Sequence, residues 1–364
     1  CMGQVKAIEA VMLLPRQNYP ISSTENLKKA TEDAPPIYAH YGRYWHGSTF
    51  FARFLMSFYD YAYVRILLYI FSSMLLVVFL VQLYKISNWI TTLNVLVGFL
   101  IGNVFIMQFS MQFFFILALS LLGAILCIYK GRENKDADIL FLIFGSLTNY
   151  FDLLTTPILS LGIMLVPTIL FLSKQNYTFA QLLKKILFLS ALWAGGYAFT
   201  FFAKWIIASL LCGENVLQNA FNQVIYRTST EGNMWIEKPY SRWQALTQNT
   251  NLITWPYFCL CLIANCIYFV VKHFSKTNKE TILQTNEKQQ LAVGNLKTCI
   301  LFLLIGLYPY LWYLMAANHS FLHWWFTYRG QIVSLICFLL SFQYLLTFIQ
   351  TIIFQRFKQA KGDV

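Results

Sequence analysis

The sequence predicts an all-α fold, a polytopic transmembrane helical bundle, from three observations. Of the 364 residues, 58% are hydrophobic and only 12% are charged, whereas soluble domains average roughly 45–50% apolar and about 25% charged residues. The apolar residues stand in long blocks, several of which reach the roughly 20 residues needed to cross a hydrocarbon core. Basic residues concentrate in alternate short connections between the blocks, as they do in membrane proteins.

The length rule places about nine spans, including one short or broken helix. They are expected at 63–84, 89–107, 110–129, 139–151, 153–173, 186–211, 252–271, 298–316 and 331–354. The block 139–172 is too long for one ordinary span, and a glycine, an asparagine, Asp152 and Pro157 interrupt it. We therefore expect a short helix, a bend near Asp152 and then a full span. Such breaks occur at membrane depth only against protein or a watery cavity.

The chain is expected to divide into three parts. Residues 1–62 form an external segment, in which Tyr44 to Tyr63 is typical of an amphipathic helix lying in the membrane interface. Residues 63–354 form the transmembrane helical domain, with an external loop at 213–250. Residues 355–364 form a basic cytoplasmic tail.

We interpret the formal net charge of +12 first as a signal of membrane topology rather than of a binding partner, because Lys and Arg gather in cytoplasmic loops. With the C-terminus in the cytoplasm, the inner loops and the tail hold most of the basic loop residues. The outer loops between spans hold only Arg227, Lys238, Arg242 and Arg329. The sequence therefore predicts an integral, multi-pass membrane protein whose site faces outward, with membrane lipids and not nucleic acid as partners.

A first candidate site lies in the aromatic run from Tyr41 to Gly47. Arg and His side chains can bind phosphate, while Tyr and Trp rings favour the headgroup level of a bilayer. Arg43 and His46 are therefore candidate substrate-binding residues for a lipid-linked phosphate. The same composition is also typical of an aromatic belt with snorkelling cations, and both interpretations stay open.

A second candidate is Asp152, a candidate catalytic residue. An acidic residue between apolar segments is costly to bury and indicates a function by default. The structural alternative is that Asp152 caps the helix that follows it, a position that Asp favours. The two interpretations are compatible.

A third candidate site joins two external segments. His319 and His323 are four residues apart, so a helix would place them on one face, and Arg329 follows at the start of the last span. Arg227 and Arg242 lie in the loop 213–250, where basic and aromatic side chains suit phosphate pairing and sugar stacking. We predict these five residues as substrate-binding, with an interfacial belt as the alternative.

Several kinds of site are not indicated. No P-loop, G-x-G-x-x-G, G-x-S-x-G or H-E-x-x-H motif occurs, and two histidines without a third ligand are a weak metal signal. No metal ligands are therefore predicted, the cofactor is unknown, and a divalent metal stays open. Lys204, which falls within a predicted span, is expected to snorkel toward the membrane edge.

This layout resembles the membrane glycosyltransferases of the GT-C fold. The resemblance covers most of the chain: a polar external segment with an interfacial helix, many spans, a broken pair around an acid, and a later external loop with His and Arg. The runs R-Y-W-H-G at 43–47 and H-W-W-F-T-Y-R at 323–329 are also similar to stretches in uncharacterised bacterial polytopic membrane proteins.

The resemblance implies a polyprenyl-phosphate-linked sugar as donor, a surface glycan or lipid as acceptor, inversion at the anomeric centre, and a place in the bacterial cytoplasmic membrane. It also implies a catalytic acid in the first external loop, close after the first span. No Asp-Asp or Asp-Glu pair follows a visible first span, which departs from the family pattern. Glu9 is the nearest candidate, on the condition that a span lies upstream of it.

Three other functions stay open. A glycan polymerase or ligase of the O-antigen type shares a multispan body and a long external loop with Arg and His. A transporter or flippase for lipid-linked sugars would show two related halves and a polar path to the cytoplasmic side. An assembly protein without catalytic activity would need none of these features.

Overall fold

The computed structural model describes residues 7–14, 16–17, 25, 28, 38–231, 239–276 and 285–362, and these are overwhelmingly helical. The helices are α1 Ala7–Met12, α2 Gly47–Met56, α3 Tyr61–Ile86, α4 Trp89–Ile101, α5 Val104–Phe109, α6 Phe114–Arg132, α7 Asp138–Phe151, α8 Ile158–Leu172, α9 Phe179–Cys212, α10 Val216–Thr228, α11 Arg242–Thr250, α12 Trp255–Lys276, α13 Thr285–Gly306, α14 Tyr308–Met315, α15 Ala317–Leu322, α16 Trp324–Thr327 and α17 Gln331–Gly362, with a 3-10 turn at Tyr328–Gly330 before α17. One antiparallel strand pair, β1 Arg16–Gln17 with β2 Tyr38–Ala39, precedes the bundle and sets Arg16 opposite Ala39.

Six stretches of helix are long and apolar enough to cross a membrane, and they identify a multi-pass membrane protein. They are Tyr61–Ile86, Phe114–Arg132, Phe179–Cys212, Trp255–Lys272, Gln290–Met315 and Trp324–Ile353. Three shorter apolar helices, α4, α7 and α8, lie where the other three predicted spans fall. The helical membrane bundle is thus confirmed, but among the described residues six rather than nine stretches are long enough to span a membrane.

Several predicted boundaries differ from the structure. The expected span 89–107 ends as a helix at Ile101, because Asn103 adopts a left-handed conformation (φ 60°) and the chain turns into the short α5. The expected interfacial helix from Tyr44 to Tyr63 is shorter, since α2 covers Gly47–Met56 and α3 already begins at Tyr61. The predicted basic tail continues α17 as far as Gly362.

The core of the bundle is built around α8. Every residue of this helix from Leu159 to Leu170 is buried, and it packs against α6, α7, α13 and α17. A helix that is apolar on all sides is expected at the centre of a bundle. Pro167 lies within this helix.

Glycines bring α7 and α9 into close contact. A Cβ atom at Gly145 would stand 2.0 Å from the Trp193 carbonyl oxygen, and one at Gly196 would stand 2.1 Å from the Leu142 carbonyl oxygen. Small residues that let helix backbones approach are the usual means of packing helices in membranes. This crossing fixes the middle of α7 against the middle of α9.

A cluster of amides lies buried between α4, α12 and α17. Asn94 Nδ2 donates to Asn265 Oδ1 at 3.1 Å and to Gln343 Oε1 at 2.9 Å. Gln343 Nε2 in turn donates to Thr91 Oγ1 at 2.8 Å. Interhelical amide hydrogen bonds of this kind hold membrane helices together.

Polar contacts define a basic end of the bundle. Lys174 Nζ donates to the Ile86 carbonyl oxygen at 2.8 Å, and Lys297 Nζ donates to the Tyr177 carbonyl oxygen at 3.1 Å. Lys185 forms an ion pair with Asp138 at 2.7 Å. The short connections that carry the predicted inner-loop lysines therefore meet at one end, and we call the opposite end the site end.

The helices α7 and α8 form a short hairpin that rises from the basic end and turns back. They have 14 and 15 residues, or about 21 and 22 Å at 1.5 Å per residue, against roughly 30 Å of hydrocarbon core. The neighbouring α9 has 34 residues, or about 51 Å. A capping box at Thr178 and Gln181 begins α9, and Gly213 (φ 68°) ends it, as helix-end chemistry predicts.

Candidate functional site

The turn between α7 and α8 is organised by Asp152. Its Oδ2 atom accepts a hydrogen bond from the Thr155 backbone N–H at 2.9 Å, and its Oδ1 atom accepts one from the Thr155 hydroxyl. The side chain thus holds a turn in which Leu154 has a positive φ of 62°, and α8 begins only after Pro157. The predicted break at Asp152 is present, and the capping interpretation applies to this turn rather than to a helix starting at Leu153.

The Asp152 carboxyl group is deeply buried, with 1% of its surface exposed. Burial raises the pKa of Asp152 to about 7, although the hydrogen bonds from Thr155 act in the opposite direction. A carboxyl group that titrates near neutrality can take up or release a proton under ordinary conditions, which is what acid–base catalysis requires.

His319 joins the loop 317–330 to this turn. Its Nε2 atom donates to the Leu154 carbonyl oxygen at 2.6 Å, since a carbonyl oxygen can only accept. The His319 and His323 rings lie one helical turn apart with centroids 5.0 Å from each other. The spacing of four residues therefore brings both rings to one face.

Arg227, at the end of α10, completes the chain of contacts. Its Nη1 atom donates to His323 Nε2 at 2.8 Å, because a guanidinium has no acceptor. Burial, with a contribution from Arg227, lowers the pKa of His323 to about 4. His323 is therefore neutral at pH 7 and carries its proton on Nδ1.

Arg227 lines a cavity of about 240 Å³ at the site end. Arg43 contributes a second cation to the wall, and Tyr44, Tyr197 and Trp312 contribute aromatic faces. Arg43 also donates to Asn219 Oδ1 at 3.0 Å. No carboxylate is among the described residues that line this cavity, so the two guanidinium groups give it a positive field that favours an anion.

Asp152 lies behind the wall of the cavity rather than in it. Tyr44 and Tyr197, which line the cavity, are both close enough to interact electrostatically with Asp152. The Tyr197 hydroxyl and both side-chain polar atoms of Asn149, one turn before Asp152, are buried with no hydrogen-bond partner among the described residues. Buried polar groups are usually satisfied by protein or ordered water, so we expect water to bind at the Tyr197 hydroxyl and at the Asn149 side chain.

His46 supports the cavity from outside. It precedes α2 in a left-handed conformation (φ 58°), and its Nε2 atom donates to the Tyr41 carbonyl oxygen at 2.8 Å. Burial lowers the pKa of His46 to about 4, and the positive charges of Lys204, Arg53 and Arg43 contribute to the shift. A Cβ atom at Gly47 would stand 2.3 Å from the Tyr150 ring, so this turn packs tightly against the end of α7.

Three other predicted residues lie away from the cavity. Arg242 donates to the carbonyl oxygens of Leu314 and Thr228 and thereby connects α11 with the ends of α10 and α14. Arg329 lines a separate groove. Glu9, on α1, lies near Cys212 and is not among the cavity-lining residues.

Lys204 does not snorkel as expected. Its side chain is fully buried, with Nζ donating to the Met12 carbonyl oxygen at 2.8 Å and lying 5.1 Å from the centroid of the Trp45 ring. The position that looks like the membrane edge in the sequence is covered by α1, which packs on α9. A lysine in this place therefore binds the N-terminal segment to the bundle.

Sequence reasoning did not select Tyr197 or Trp312, since aromatic residues in apolar helices are common. Nor did it select the Asn94 cluster, because single amides in separate spans carry no pairing signal. In the part of the chain that the structure describes, no three His, Cys, Asp or Glu side chains group as metal ligands.

In comparisons with protein-family models, curated proteins and solved structures, no match to this chain was found.

Proposed function

We propose that the chain is a membrane glycosyltransferase of the GT-C type, which transfers a sugar from a polyprenyl-phosphate donor to a surface glycan or lipid acceptor. One observation carries the proposal: a buried carboxyl group, that of Asp152, lies beside a cavity whose wall holds the guanidinium groups of Arg43 and Arg227. Transfer from a lipid-phosphate sugar requires a base for the acceptor hydroxyl and cations for the leaving phosphate.

The roles follow from the positions of the groups. Asp152 accepts the proton of the acceptor hydroxyl through the water expected beside Tyr197. As the bond between the sugar and the phosphate breaks, Arg43 and Arg227 stabilise the charge that builds on the phosphate oxygens. Neutral His323 orients the Arg227 guanidinium, and His319 holds the Asp152 turn against the loop that carries His323.

The size of the cavity favours transfer of a single sugar. Its volume of about 240 Å³ lies below the roughly 300–1,000 Å³ of pockets that enclose drug-sized ligands. A polymerase or ligase of the O-antigen type has to accommodate a longer glycan. The aromatic faces of Tyr44 and Trp312 suit stacking against one sugar ring.

The proposal also states which side of the membrane the site faces. The lysine-rich connections meet at the basic end, and the positive-inside rule assigns such an end to the cytoplasm. The site end, with Asp152 and the cavity, then faces outward, where lipid-linked sugars serve as donors. A bacterial cytoplasmic membrane is the setting that the resemblance implies.

The test replaces Asp152 by Asn in cells that otherwise lack the chain. Asn keeps an oxygen that can accept from the Thr155 N–H, so the turn is preserved while the base is lost. We expect the amount of the sugar that the protein adds to surface glycans or lipids, measured by mass spectrometry, to fall about 100-fold or more. This is the usual contribution of general base catalysis. Arg227→Gln should reduce the same product.

The matched control is Asp60→Asn, which removes an exposed acid at the start of α3 whose side chain makes no capping hydrogen bond. It should leave the product unchanged. A well-expressed, folded Asp152→Asn variant that sustains the wild-type glycan profile would end the proposal. Accumulation of unprocessed lipid-linked sugar on the cytoplasmic side would point instead to a flippase.

A further inference from the structure

A second groove lies at the site end, on the surface of the bundle. It has a volume of about 780 Å³ and is lined by α3, α5, the connection before α6, and the segment from α16 to the turn before α17. Two arginines, Arg65 and Arg329, face it, and aromatic side chains make up much of the rest. It shares no lining residue with the cavity beside Asp152.

The two arginines have no acidic partner in the described ranges. Arg65 Nε donates to the Phe109 carbonyl oxygen at 2.9 Å, and Arg329 Nη1 donates to the Trp325 carbonyl oxygen at 3.0 Å. Neither forms an ion pair with any described residue, and no carboxylate lines the groove.

Arg329 is the more deeply buried of the two arginines. Only 5% of its surface is exposed, and its buried Nε atom has no hydrogen-bond partner among the residues described. Its guanidinium lies 4.5 Å from the centroid of the Phe113 ring and 4.8 Å from that of Tyr328. Aromatic faces offset part of the cost of burying a cation, but a buried guanidinium normally has an anion as partner.

The surroundings of the groove are those of a lipid-facing surface. Phe105, Ile106 and Trp325 line it and are each about half exposed. Arg65 lies in the second turn of the long apolar helix α3, and Arg329 lies one turn before Ile332 in the apolar stretch Trp324–Ile353. Both arginines are at the same end of the bundle. Cations at this depth reach the headgroup level of a bilayer.

We propose that the groove between Arg65 and Arg329 binds the phosphate of an anionic membrane phospholipid. The phosphate lies between the two guanidinium groups, and the acyl chains pass over the exposed aromatic and aliphatic side chains of α5 and α3. Anionic headgroups supply the counter-charge that the described part of the chain does not supply. The inference does not rest on the proposed transferase activity, since the groove is separate from the cavity.

The experiment measures retention of lipid on the full-length protein by native mass spectrometry. The protein is released from detergent after equilibration with equal amounts of phosphatidylglycerol and phosphatidylcholine. We expect phosphatidylglycerol to be retained preferentially on the wild type. Retention should fall roughly tenfold in Arg65→Gln and in Arg329→Gln, because each removes charge-assisted hydrogen bonds to the phosphate.

The matched control is Arg53→Gln on α2, which removes an exposed arginine near the same end that does not line the groove. It should retain phosphatidylglycerol as the wild type does. If Arg329→Gln does not fold, the half-buried Arg65 keeps the proposal testable, and the rise in melting temperature caused by added phosphatidylglycerol should be lost in Arg65→Gln.

Three results would overturn the proposal. Equal retention of the two lipids by the wild type would mean that the retained lipid is ordinary annular lipid rather than lipid bound in the groove. An equal loss in Arg53→Gln would mean a diffuse surface charge effect. Stabilisation by inorganic phosphate that matches stabilisation by phosphatidylglycerol would indicate a site for small anions.

Discussion

At Gly196 the crossing of α7 and α9 leaves room for a hydrogen atom but not for a methyl group. A Cβ atom there would stand 2.1 Å from the Leu142 carbonyl oxygen, and Cβ contacts under 3.0 Å essentially never occur. The obstacle is backbone and has no rotamer to change. We therefore expect Gly196→Ala to push α7 away from α9 by about 1 Å, which is a case of overpacking.

The adjacent Gly195 supplies a matched control on the same helix. It is exposed, and nothing lies within 4 Å of a Cβ atom built on it. Both variants gain about 0.8–1.0 kcal/mol from the better helix propensity of Ala, but only Gly196→Ala meets the overpacking cost of about 1–3 kcal/mol. The difference in unfolding free energy between the two variants therefore isolates the contact.

Tryptophan fluorescence during thermal unfolding in detergent measures this difference. Trp193 is a suitable reporter, because it lies one turn before Gly196 and its Nε1 atom donates to Ser160 Oγ at 3.1 Å. Gly196→Ala should melt below Gly195→Ala, and Gly195→Ala should melt at or above the wild type. If the two variants melt at the same temperature, the close approach of α7 and α9 is refuted.

The buried amide cluster, the His46 ring and the Arg242 guanidinium each support a further prediction. Asn94→Leu should lower the free energy of unfolding by roughly 1–2 kcal/mol, because it leaves the Gln343 side-chain oxygen without its donor; chemical denaturation in detergent measures this, and an unchanged midpoint would contradict it. Burial lowers the pKa of His46 from 6.5 to about 4, so its contribution to stability is complete above pH 6.5 and is lost as the pH falls toward 4. The melting temperature of the wild type should therefore drop more steeply across that window than the melting temperature of His46→Gln, and parallel profiles would refute the assignment. Arg242→Gln should cost roughly 1 kcal/mol, because it removes hydrogen bonds from an exposed charged donor to the carbonyl oxygens of Thr228 and Leu314; the melting temperature tests it, with Arg53→Gln as the control that should not change.

Much of the bundle could be predicted because hydrophobic length and helix breakers act locally. The break near Asp152 followed from an acid and a proline between two apolar blocks, and the turn is where it was expected. The end of α4 at Ile101 could not be placed, since it depends on the left-handed backbone of Asn103. Asn is tolerated in that conformation, but the presence of one asparagine in the sequence does not predict it.

The candidate site was only partly accessible from the sequence. The spacing of His319 and His323 predicted their common face, and Arg43 and Arg227 line one cavity as a shared role requires. Arg329 faces a different groove because several short turns separate it from His323, and their combined rotation has no sequence signature. Lys204 was misjudged because the burial of its side chain depends on α1, which lies far away in the chain.

The hairpin of α7 and α8 is much shorter than the neighbouring α9, and this difference in length affects the electrostatic environment of the Asp152 turn. The hairpin falls about 8 Å short of a full hydrocarbon thickness, while α9 continues past it, so the Asp152 turn lies below the far end of α9. His319 contacts the Leu154 carbonyl oxygen of this turn, and Asp152 is almost completely buried. A negative charge that forms there during a proton transfer is therefore costly, and the hydrogen bonds from Thr155 are what stabilises it.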